Sequence, residues 1–236
     1  MSRRRSQVAK TQVRLLKRHN TACAVRKAKR NQPKSRRTNV GHYSLLEPFS
    51  PPEDWHEPHG NGGDYKVVVQ SPGEGYRHVV STDEVRQRLG QLPAHFVRDL
   101  EVVQLSRMTR KKLSFPCYGM QWGSALYLYP LEENLVETFA KPPQPTFYNE
   151  AKMYGGTWHQ DGQDWTLHWT ERAIRDFYLN NILIHELGHL LDERNNSYVD
   201  RERYAEWFAI QYGYRATGGH AARRGGQPVR RRHHRK

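Results

Sequence analysis

The sequence predicts an α+β fold: a small mixed or antiparallel sheet, followed by two helices that complete the domain. Three observations predict it. Short runs rich in β-branched and aromatic residues, separated by Gly, Pro, Asn and Asp, fill residues 64–169. Two helical patterns, each behind a capping residue, follow them. Charge then sets this region apart from its flanks. Of 38 Lys and Arg, 14 lie in residues 1–46 and 8 in residues 215–236, and neither stretch contains an acid. The flanks carry +22 and the middle −8, so the net +14 says nothing about the fold.

In order along the chain, residues 1–46 read as a basic, disordered arm, because so few apolar side chains cannot offset the entropy of ordering. Residues 47–63 are dense in Pro and Gly and read as a linker. The folded domain is expected over residues 64–214. Tyr65–Gln70 and Tyr76–Ser81, joined by Ser71-Pro72-Gly73-Glu74-Gly75, suggest a hairpin. Thr82–Leu92 reads as a helix with Thr82 as N-cap, Asp83 and Glu84 in its first turn and Pro93 beyond its end. Leu100–Leu105 and Ser124–Tyr129 are strand candidates, the second apolar enough to be buried. Lys141-Pro142-Pro143-Gln144-Pro145 breaks the chain.

Thr157–His159 and Trp165–Trp169 suggest a second hairpin turning at Asp161-Gly162. Thr170 can cap a helix that runs to about Arg194 and stops at Asn195-Asn196. Ser197 with Asp200 has capping-box spacing for a helix to about Tyr212, with Gly213 as its C-cap. Residues 215–236 form a second basic, disordered tail.

The hydrophobic fraction of 36% and mean hydropathy of −0.94 leave no apolar run of membrane-spanning length. Cys23 and Cys117 are the only cysteines, which excludes a four-cysteine zinc site and a disulfide framework. No apolar signal region follows Met1, so a reducing, cytoplasmic setting is expected, with organelle targeting by the Arg-rich start left open.

Chemistry concentrates at His185-Glu186-Leu187-Gly188-His189. Histidines four apart stack on one helical face, where two imidazoles can direct nitrogens at one tetrahedral metal about 2.0–2.1 Å away. Glu186 is rotated to one side, placed to act on a water and not on the metal. With 13 histidines in the chain, such a motif arises by chance roughly one time in twenty, so context must carry it. Leu183, Ile184, Leu187, Leu190 and Leu191 supply that context as a separate apolar face. Gly188 inside the helix implies a close approach by substrate or a neighbouring strand. A catalytic zinc needs a third protein ligand, and Glu202 and Glu206, one turn apart on the next helix, are the candidates.

His185–His189 followed by Glu202-Arg203-Tyr204-Ala205-Glu206-Trp207-Phe208-Ala209 resembles the gluzincin group of zincin metallopeptidases. The similarity is greatest to regulatory-type peptidases whose second motif reads E-x-x-A-[N/D]-x-F-A. It spans Ile174 to Tyr214. The resemblance implies a zincin-like domain in which His185, His189 and Glu202 hold Zn2+, Glu186 is the general base, and Glu206 orients a ligand histidine. Glu at position 206 and the short interval from His189 to Glu202 depart from the pattern, and keep Glu206 open as the third ligand. Zincins place an edge strand beside the active-site helix; Ser124–Tyr129 or Trp165–Trp169 would fill that place.

Other polar residues carry less. His159 and His168 flank a turn and read as surface or packing histidines; His56 and His59 read as solvated. Tyr198 and Tyr204 are in sequence reach of an oxyanion but fit core packing better, and Asp192 either orients His189 or faces solvent. The function expected is hydrolysis of a peptide or protein substrate by a zinc-activated water. The alternative is a zincin-like binding or regulatory protein with little or no peptidase activity, associated with nucleic acid through its tails. Residues 1–46 and 215–236 suit non-specific contact with DNA, RNA or an anionic surface.

Overall fold

The computed structural model describes residues 52–60, 64–110, 112 and 117–219. The expectations for residues 1–46 and for 220–236 lie outside the described residues. Within them the chain is α+β. No helix among the described residues is long and apolar enough to cross a membrane.

The principal sheet has the order β1-β3-β5-β4, built from β1 (Lys66–Val69), β3 (Val102–Leu105), β4 (Gly119–Trp122) and β5 (Ala125–Leu128). β1 runs parallel to β3, with Lys66 opposite Val102, and β3 parallel to β5. The first expected hairpin is therefore absent. β2 (Tyr76–Arg77) pairs instead with β6 (Leu131–Glu132), and the chain returns to the sheet through helix α1 (Thr82–Gly90). The Ser-Pro-Gly-Glu-Gly stretch turns the chain, but a turn does not choose its partner strand; the non-local pairing of Val67–Val69 with Val103–Leu105 does. α1 starts one residue earlier than expected: Ser81 is the cap, in a capping box with Glu84.

β5 is buried along its whole length, as its composition predicts. Leu126 and Leu128 enter the main core with Leu183, Ile184 and Leu187, while Ala125 and Tyr127 project to the opposite face beside Val102. Parallel strands demand cover on both faces. Residues 52–60, expected as linker, supply part of it. The His56 amide donates to the Tyr127 hydroxyl at 3.0 Å, and its Nε2 lies 2.7 Å from Gln104 Oε1. The His59 and Gly60 amides donate to the Glu101 carboxylate at 2.8 and 2.7 Å.

A second sheet has the order β7-β9-β8, from β7 (Val136–Phe139), β8 (Thr157–Asp161) and β9 (Asp164–His168). Its β8–β9 hairpin is the expected one, with Gly162 at φ 60° in the turn. Helix α2 (Pro145–Met153) precedes it; it starts at the last residue of the expected proline break and is not among the expected elements. Pro145 sits at the start of that helix, where a missing N–H costs nothing.

The last two helical stretches both depart from α geometry. The first comprises α3 (Glu171–Phe177), a π-helical segment at Tyr178–Ile182 and α4 (Leu183–Leu191), with Thr170 as the expected cap. The second is α5 (Tyr198–Phe208), capped by Ser197, followed by a π-helical segment at Ala209–Arg215. The π segments meet. A Cβ on Gly213 would stand 1.8 Å from the Asn180 carbonyl oxygen, so Gly213 is there for close approach and is not the C-cap expected. Arg88 ties the contact together, donating to Asn180 Oδ1 at 2.5 Å and to the Tyr212 carbonyl, and the Tyr154 hydroxyl donates to Asn180 O at 2.9 Å. Gly213→Ala is expected to destabilise the domain by about 3 kcal/mol or more, because the clash is with backbone. An unchanged urea midpoint would contradict this contact.

Candidate metal centre

α4 shows two stripes. Leu183, Ile184 and Leu187 are fully buried in the core, while His185, Glu186 and His189 occupy another side. The two imidazoles meet edge to face, with ring centroids 4.7 Å apart and 80° between planes, and their Nε2 atoms are 3.1 Å apart. Glu202 reaches them from α5: its Oε1 is 3.1 Å from His189 Nε2 and its Oε2 is 3.7 Å from His185 Nε2.

Those distances test whether a metal fits. Ligand atoms at three corners of a tetrahedron, each about 2.0–2.1 Å from zinc, stand about 3.3 Å from one another. One donor atom from each of His185, His189 and Glu202 lies within 4.8 Å of the others, and the Nε2–Nε2 separation of 3.1 Å is close to the ideal. Two imidazoles and a carboxylate are also a donor set that zinc accepts. Glu206, one turn further along α5, is not among the converging groups.

Gly188 explains how α5 comes so close. A Cβ there would stand 3.0 Å from Ala205 Cα and 3.2 Å from Phe208 Cβ. The neighbour that needs the glycine is thus the next helix, and not a strand. Asp192 explains the short loop between the helices. Its buried carboxylate accepts from the amides of Arg194 and Asn195 at 3.3 and 3.2 Å and from the Asn195 side chain at 3.0 Å. Arg201 closes the corner by donating to the carbonyls of Asp192 and His189 at 3.1 and 2.9 Å. Asp192 therefore folds the connection; it neither faces solvent nor orients His189.

Glu186 is only 8% exposed. It packs on β4, the antiparallel edge strand of the principal sheet; Ser124–Tyr129 and Trp165–Trp169, the expected edge strands, are instead interior to their sheets. A Cβ on Gly119 would lie 2.9 Å from both Glu186 Cγ and Oε1. The signal for this residue was a glycine in the alternating run Tyr118-Gly119-Met120-Gln121-Trp122, which marks a close approach. Burial pushes the Glu186 carboxyl well above its ordinary range, and the Cys117 and Glu202 charges push the same way; Lys112 and the Gln121 amide oppose them. Lys112 Nζ donates to Cys117 Sγ at 2.9 Å and sits 3.9 Å over the Tyr129 ring.

A further acid belongs to this neighbourhood. Glu150 of α2 is pushed up to about 7 by burial, then by the Glu206 and Glu202 charges, against a hydrogen bond from Asn181. Burial, then the Glu202 charge, also raises Glu206. Sequence reasoning missed Glu150 because it missed the helix that carries it. Tyr204 packs on Trp207 and Phe208, with ring centroids 5.6 and 6.1 Å away. His56 and His59 lie across the far face of the principal sheet, and His159 and His168 on the second sheet.

Compared with family models, curated proteins and solved structures, the chain finds no match.

Proposed function

We propose that this chain is a zinc-dependent metallohydrolase of the zincin type, close to the gluzincins, that cleaves peptide bonds. The observation that carries the reading is the convergence of His185, His189 and Glu202 with Glu186 beside them but outside the ligand set. A purely structural zinc has no use for that fourth group.

His185, His189 and Glu202 would hold the ion. Zinc supplies Lewis acidity there, polarising a carbonyl and making a water acidic near neutral pH. Glu186 would take a proton from the attacking water as the water oxygen bonds to the carbonyl carbon, and deliver that proton to the amine nitrogen as the C–N bond breaks. Its burial excludes bulk water from that proton, and the Gln121 amide helps hold the carboxylate in place. β4, at the border of the principal sheet, offers an extended peptide a strand to pair with. The basic segments 1–46 and 215–236 would add sequence-blind, salt-sensitive contact with polyanions.

Incubating the zinc-loaded protein with a mixed peptide library, and reading new termini by mass spectrometry, tests the reading. Cleavage that stops with chelator and returns with zinc is expected. Intact peptides across the library, with zinc bound, would leave the binding or regulatory alternative in its place.

A further inference from the structure

The outer face of the second sheet carries another pair of histidines. Across β8 and β9, Thr157 stands opposite His168, His159 opposite Thr166, and Asp161 opposite Asp164. Residues opposite one another in an antiparallel pair project to the same side. One face therefore gathers both histidines, while Trp158, Trp165 and Leu167 pack inward from the other. His159 and His168 are exposed diagonal neighbours, with ring centroids 4.7 Å apart and 76° between planes. The histidines of the metal centre show 4.7 Å and 80°. A helix and a hairpin thus bring two imidazole rings to nearly the same centroid separation and interplanar angle.

We propose that His159 and His168 form a second, surface site for a divalent transition-metal ion, bound through two imidazole nitrogens with water completing the coordination. Imidazole suits Cu(II), Ni(II) and Zn(II), and affinity across that series is greatest for Cu(II). Hard cations such as Mg2+ and Ca2+ require oxygen ligands and would not be held. The paired strands fix the backbone positions of both histidines before the ion arrives, so only side-chain ordering accompanies chelation. Thr166 Oγ1, 3.1 Å from His168 Nε2, steadies that ring.

Among the described residues, a cluster of three or more ligands occurs only at the metal centre. The surface pair therefore binds more weakly, filling and emptying with free metal while the central ion stays. It shares no residue with the metal centre and does not depend on the metallohydrolase reading.

Equilibrium dialysis of the full-length, zinc-loaded protein against Cu(II) tests the site, comparing wild type with the His159→Gln/His168→Gln double variant. All other histidines are common to both proteins, so the difference reads this pair alone. Wild type is expected to take up one equivalent more, each single variant to lose that equivalent, and its electron paramagnetic resonance to show two equatorial nitrogens. The equivalent should persist in His185→Ala/His189→Ala, whatever that variant does to activity. Equal uptake by wild type and the double variant, at matching circular dichroism, would overturn the proposal.

Discussion

Glu186→Gln is expected to lower kcat by about 10²–10⁴-fold while leaving one zinc bound. The amide keeps the shape that fits against Gly119, where a Cβ would come within 2.9 Å of the Glu186 side chain, so the variant should fold. It removes only the capacity to take and return a proton. The proposed zinc ligands are His185, His189 and Glu202, so zinc affinity should change little. The experiment separates two accounts of the same carboxyl. If Glu186 served only to fill the space beside β4, glutamine would serve as well, and full activity would result. Loss of zinc together with activity would instead make Glu186 a ligand and redraw the site.

The second large effect concerns Glu202. Replacing it by Ala removes the oxygen that stands 3.1 Å from His189 Nε2 and should abolish most zinc binding. Glu206→Ala removes a neighbouring carboxylate outside the converging donors and should cost about 10–100-fold in affinity or activity. Competition with a fluorescent chelator ranks the two variants. The reverse order would make Glu206 the ligand and require α5 to turn from the position described here.

The candidate metal centre was legible in the sequence to an uneven depth. His185, Glu186 and His189 declare themselves because a helical spacing of four fixes their common face before any tertiary structure exists. Glu202 and Glu206 share one face too, so helical geometry could not rank them. The ranking comes from tertiary packing: Gly188 against Ala205 brings α5 close, and Asp192 with Arg201 sets the length of the corner. Gly119 and Glu150 stayed hidden for a related reason. Each matters through a partner 67 or 31 residues away, Glu186 and Asn181 respectively. The coarse α+β order and the β8–β9 hairpin were readable from local turn chemistry. The pairing of β1 with β3 was not, because strand composition names a strand but not its neighbour.

The proposed activity requires one ion held between His185, His189 and Glu202. Elemental analysis of the zinc-equilibrated, full-length protein after exhaustive dialysis, joined to zinc K-edge absorption, measures this directly. One tightly held zinc per chain is predicted, with two imidazoles and a carboxylate at about 2.0–2.2 Å, no sulfur, and loss of the ion in His189→Ala. A protein that retains no zinc under these conditions, or one whose zinc survives in His189→Ala, would contradict it.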